Sequence, residues 1–112
     1  MYPALFTTPG VRDFAESVDQ ERQAQLKKFG DQEHPDGTGL PVYEHAARRY
    51  RDQADRNAAS SVLAWRDILL EEVYETLAES DPAKLRAELL QVAAVCAAWI
   101  WDLDQRSAAD PS

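Results

Sequence analysis

Residues 65–104 read WRDILLEEVYETLAESDPAKLRAELLQVAAVCAAWIWDLD, and this stretch decides the fold. Asp81-Pro82 divides it. An aspartate suits a helix N-cap, and a proline suits the first helical position, where its missing N–H costs nothing. One helix therefore ends near Glu79, and another runs from Pro82 to about Asp104. The first has Val62, Trp65, Leu69, Val73 and Leu77 as its core side.

The second is apolar on two sides. At about 100° per residue, Leu85, Val92, Val95, Cys96, Trp99 and Leu103 fall on one face. Leu90, Ala94, Ala97 and Trp101 fall nearly opposite. A helix apolar all round must be covered all round. One face can meet the chain's own helices, and the other most simply meets a second copy. The expectation is a homo-oligomer, a two-fold dimer. The alternative is a monomer in which the other helices cover both faces.

Toward the N-terminus, a helix is expected over Val11–Phe29, stopped by Gly30. Residues 30–39 carry turn chemistry. Pro41 then opens a helix with a stripe of Tyr43, Ala46/Ala47, Tyr50, Ala54 and Ala58. Ala59-Ser60-Ser61 reads as a break, with either serine as the next N-cap. Residues 107–112 read as a frayed tail. No β-branched run alternates with period two. The expected fold is all-α, a four-helix bundle-like single domain over 1–112, with its core at about 11–104.

Composition narrows the function classes. The 112 residues carry 20 Asp+Glu against 12 Lys+Arg, a net charge of −8. Such a chain is repelled by nucleic-acid backbones and anionic membranes, and attracts metal ions. The single Cys96 excludes an internal disulfide and a cysteine-rich zinc site, and its place in an apolar run suits packing. The longest apolar run, Val92 to Trp101, is half of the roughly 20 residues that a membrane span needs. With no signal-like segment in Met1–Phe6, a soluble cytoplasmic protein is the default.

Polar residues intrude where apolar ones are expected. On the first helix, Arg22 and Gln25 fall within the stripe Val11, Phe14, Ala15, Val18, Leu26 and Phe29. They fit either a structural pairing or the wall of a polar pocket. On the third helix, Glu72 lies at the margin of the core side. Glu75 is one turn on, and Glu71 projects further toward solvent. Glu88 sits on the Leu85/Val92/Val95 face of the fourth helix, with Gln91 one turn on.

The pattern is Glu72-x-x-Glu75, twelve residues, then Glu88-x-x-Gln91. An antiparallel return at Asp81-Pro82 brings the two pairs face to face. Three carboxylates and an amide oxygen on facing helices suit a hard cation, Mg²⁺ or Mn²⁺. No histidine stands at matching positions for zinc or di-iron ligation. The alternative is a solvated acidic face.

The segment Trp65–Glu75, followed by Glu88-Leu-Leu-Gln-Val-Ala-Ala-Val95 and Trp99, resembles the MazG-like all-α nucleoside triphosphate pyrophosphohydrolases. So does Glu21-Arg22-x-x-Gln25-x-x-Lys28-Phe29-Gly30-x-Gln32. The likeness covers about residues 14–103. It implies a dimeric or tetrameric helical bundle. It also implies Mg²⁺-dependent hydrolysis of NTPs or dNTPs to a monophosphate and pyrophosphate.

The family pattern is E-x-x-E…E-x-x-D. Glu72, Glu75 and Glu88 match its metal positions, and Gln91 stands where the family has aspartate. The resemblance makes Glu72 and Glu75 catalytic, with Glu75 orienting the attacking water. It places Arg22, Gln25 and Lys28 at the nucleotide. An amide oxygen at 91 can coordinate a cation but brings no charge.

Other features have bland alternatives. No P-loop is present. Arg48, Arg49, Arg51 and Arg56 are interleaved with Glu44, Asp52 and Asp55, as on a solvated face, although a phosphate role is open. Trp65 anchors a helix start or stacks on a base, and Lys28 is a phosphate contact or a surface lysine. His34 and His45 read as surface residues. Three functions stay open: an NTP pyrophosphohydrolase, a catalytically silent nucleotide- or metal-binding relative, and a helical oligomerisation module.

Overall fold

The computed structural model describes residues 5–109. These residues are all-helical, with α1 Val11–Phe29, α2 Pro41–Ala59, α3 Trp65–Ala78 and α4 Pro82–Ala109, and no strand among them. The expected helix boundaries hold at both ends of α1 and at the starts of α2 and α4. Gly30 closes α1 through its N–H to the Leu26 carbonyl at 2.8 Å. Asp81 caps α4, its Oδ2 accepting the Lys84 N–H at 3.0 Å, with Pro82 at the first position.

Three expectations are corrected. Neither serine caps α3. Ser60 and Ser61 instead finish α2, where the Val62 N–H bonds to the Asn57 carbonyl at 2.8 Å and the Ser61 N–H to Ala58 at 3.1 Å. This is the 6→1 and 5→2 pattern of a Schellman ending, which needs a left-handed residue at its turn, and Ser61 supplies it at φ 60°. The helix start moves to Ala64, and Val62 stays exposed ahead of it rather than joining the core side.

At the other end, α4 passes Asp104 and includes Ser107–Ala109. Gln105, Arg106 and the alanines are good helix formers, and Arg106 pairs with Asp102 one turn back at 3.8 Å. Asp110-Pro-Ser112, the rest of the expected frayed tail, lies outside the described residues, as do residues 1–4 of the N-terminus. Third, Glu71 does not simply face solvent: it is half-buried and lies 3.9 Å from Arg51.

The chain divides into two compact units, residues 36–96 and residues 1–35 with 97–112. In the first, α2 meets α3 along the predicted stripe. Ala47 and Ala54 are buried, small enough to let the helices approach, and the Tyr50 and Tyr74 rings stack at 5.0 Å. Leu85 of α4 completes the buried apolar set. The Gly39 N–H bonds to the Leu77 carbonyl at 2.8 Å, satisfying one of the unpaired carbonyls at the end of α3. Gly39 has φ 84°, and a Cβ there would lie 2.8 Å from that of Ser80, so only glycine fits.

Two buried polar residues fix this unit. Thr76 turns its hydroxyl back to the Glu72 carbonyl at 2.8 Å. Asp67 Oδ2 accepts the Ala64 N–H at 3.0 Å and the Asn57 amide at 3.1 Å, joining the last turn of α2 to the first turn of α3. These two hydrogen bonds, the backbone one first, hold the Asp67 carboxyl below the usual carboxylate range against the opposing effect of burial. A depressed folded value means that its stabilisation is complete above the unfolded value, about pH 4, and is lost as pH falls through the folded one. Asp67→Asn is expected to lower the melting temperature at pH 7 and to flatten acid denaturation below pH 4. Thermal melts of both proteins from pH 2 to 7 check this.

In the second unit, Gly10 starts α1 at φ 84°, and a Cβ there would sit 2.7 Å from Trp101 Cε3. No residue of α1 is buried, and Val18, Leu26 and Phe29 of its apolar stripe are exposed.

Candidate metal centre

Two helices position the acidic residues. Glu72 and Glu75 lie one turn apart on α3, and Glu88 lies in the second turn of α4, one turn after buried Leu85. One carboxylate oxygen from each of the three lies within 4.8 Å of the others, and all three side chains are half-buried. Two unit charges 4 Å apart interact by about 4 kcal/mol at the effective permittivity of a protein surface. Three ionised carboxylates in this space are therefore strongly frustrated without a cation.

The surroundings offer little relief. Glu72 Oε2 and Glu88 Oε2 are buried and have no hydrogen-bond partner. An unmet buried polar atom costs about 1–3 kcal/mol. Burial first, then the charges of Glu75, Glu88 and Glu71, push the Glu72 carboxyl above its ordinary range. Glu71 is pushed the same way, again by burial and then by Glu75.

Arg51 is the cation that does arrive. Its Nη2 lies 2.8 Å and its Nε 3.3 Å from Glu75 Oε1. The guanidinium is held further into its charged form by this bond. Beside the carboxylates, α2, α3 and the start of α4 border an open cleft of about 420 Å³ whose walls include Arg48, Arg51, Glu75 and Glu88. The arrangement suits a hard divalent ion. The ligand set is all oxygen, convergent and anionic, the donor chemistry that such an ion takes.

The structure thus brings together Glu72, Glu75 and Glu88. Gln91 lies exposed on α4, one turn past Glu88. Arg22, Gln25 and Lys28 are exposed and belong to the other unit. Arg22 Nη1 donates to Gln25 Oε1 at 2.7 Å, so the two intrusions on α1 satisfy each other. Lys28 lies over the Phe29 ring at 5.1 Å. His34 bonds to Gln32 and His45 to Arg48, all exposed.

Sequence reasoning did not single out Arg51 from the other arginines of α2, nor Asp67 and Thr76 at all. The signal for Arg51 was present: it follows Tyr50 and Ala47 on the stripe that meets α3.

No family model, no curated protein and no solved structure matches this chain.

Proposed function

We propose that this protein is a Mg²⁺-dependent nucleoside triphosphate pyrophosphohydrolase of the MazG-like all-α type. The observation that carries the reading is the convergence of Glu72, Glu75 and Glu88, with two buried carboxylate oxygens left without partners. Metal-binding side chains on facing helices are the usual way in which a helical protein builds such a site. A divalent cation held there supplies charge neutralisation and an activated water.

The reaction replaces the pyrophosphate group at the α-phosphorus with water, and mainly needs positioning and charge stabilisation. Glu72, Glu75 and Glu88 would hold the cation, with Glu75 also placed to orient the water. Gln91, exposed one turn past Glu88, enters as a neutral fourth ligand through the resemblance alone. Arg22, Gln25 and Lys28 enter through the resemblance alone. The exposed apolar residues of α4, Leu89, Leu90, Ile100 and Trp101, support the further reading that a second copy packs against this helix.

The test is pyrophosphate release from a panel of NTPs and dNTPs with Mg²⁺ or Mn²⁺. Metal-dependent release from at least one nucleotide is expected. Absence of release from every nucleotide by folded protein overturns the enzyme. A second reading, a silent metal- and nucleotide-binding relative, is favoured by the uncharged Gln91 and is removed by any wild-type turnover.

A further inference from the structure

Arg51 lies against one of the three converging carboxylates. It is half exposed, at 50% of its side chain, while Glu75 is 21% exposed. The guanidinium takes Glu75 Oε1 with two nitrogens and reaches toward Glu71. It borders the cleft that opens beside Glu75 and Glu88. We propose that Arg51 is the displaceable counter-ion of this site. It holds Glu75 while the site lacks a cation, gives up the carboxylate when a divalent ion enters, and then pairs with the polyphosphate of the incoming ligand from the α2 wall of the cleft. This rests on the reading of the three glutamates as a metal site.

Ligand counts favour the exchange. The half-exposed guanidinium meets a single oxygen of Glu75. A divalent ion meets three carboxylates at once, including two oxygens with no other partner. The pair therefore yields to the metal. A guanidinium then has two donors matched to phosphate oxygens, a geometry that lysine does not reproduce. The Tyr50–Tyr74 stack, one residue before each partner, fixes the register of α2 on α3, so the arginine turns without the helices moving.

The test measures two affinities on the whole chain, with opposite signs expected. Mn²⁺ alone is titrated calorimetrically into wild type and Arg51→Gln, and the variant is expected to bind it about threefold to tenfold more tightly. Tripolyphosphate is then titrated in saturating Mn²⁺, and the variant is expected to bind it about tenfold more weakly. A merely structural arginine does not move the two constants in opposite directions. Arg12→Gln, on a surface pair with Glu16, is expected to change neither. Equal Mn²⁺ affinity in wild type and Arg51→Gln overturns the counter-ion while leaving the metal site standing. Tighter Mn²⁺ with unchanged tripolyphosphate overturns the phosphate role. No Mn²⁺ binding by either protein overturns the metal site itself.

Discussion

Glu72→Gln is expected to reduce Mg²⁺-dependent pyrophosphate release on the order of 10²-fold or more, the loss typical of removing one charge-stabilising group from a hydrolytic site. The same substitution is expected to make the metal-free protein more stable. The carboxyl of Glu72 is raised by burial and by Glu75, Glu88 and Glu71. A carboxyl with a raised folded value contributes most below its unfolded value. That contribution is lost as pH climbs through the folded one, so at pH 7 the ionised side chain opposes folding. Glutamine keeps the shape and removes the charge. A gain of about 1 kcal/mol, some 4–8 °C in melting temperature for a domain of this size, is the expected scale. Magnesium reverses the ranking. At 100 times its dissociation constant a ligand stabilises the native state by about 2.7 kcal/mol, and the variant forgoes this. Melts with EDTA and with Mg²⁺, alongside release assays, read all three effects. A variant that melts lower than wild type in EDTA removes the electrostatic account of the site.

Leu85→Ala carries the largest expected loss of stability. Leu85 is the one large apolar side chain of α4 that is buried, at 8% exposure. Truncating a buried leucine costs about 2–5 kcal/mol, according to how far the cavity collapses. By the same conversion that is about 8 °C or more. Leu85 lies one turn before Glu88, so it also anchors the segment that brings the third carboxylate to α3. The variant is expected to bind Mn²⁺ more weakly even where it is folded. Leu89, next on the helix and 52% exposed, supplies the contrast. Leu89→Ala is expected to change the stability of the dilute chain by no more than about 0.5 kcal/mol. Urea titrations of the three proteins separate these outcomes, and equal midpoints for Leu85→Ala and wild type end the claim.

Much of this was legible because it is local. Pro41, Gly30 and Asp81-Pro82 punctuate helices by backbone chemistry that acts within a turn, and each does so in the structure. The pairing of Glu72, Glu75 and Glu88 was also readable, since a tight Asp-Pro return between two helices leaves little choice of partner faces. The rest depended on packing across elements. Ser61 was legible as a break but not as a left-handed turn residue, a role that glycine usually fills. Arg22 and Gln25 looked costly only on the premise that the α1 stripe is buried, whereas Val18, Leu26 and Phe29 on either side of them are exposed. Arg51 was hidden among neighbouring arginines because only the approach of α3 tells one helix face from another.

The carboxylate of Asp67 has a consequence for loop closure in folding. It spans ten residues to Asn57 and three to the Ala64 amide, while Arg51 and Glu75 are 24 apart in sequence. Contacts this close in the chain cost little loop entropy to close, and helical proteins rich in them fold quickly. The α3–α4 return is as local, since Glu75 and Glu88 are 13 apart in sequence. Both pairings are therefore cheap in loop entropy, and the three glutamates can meet as early as Arg51 meets Glu75.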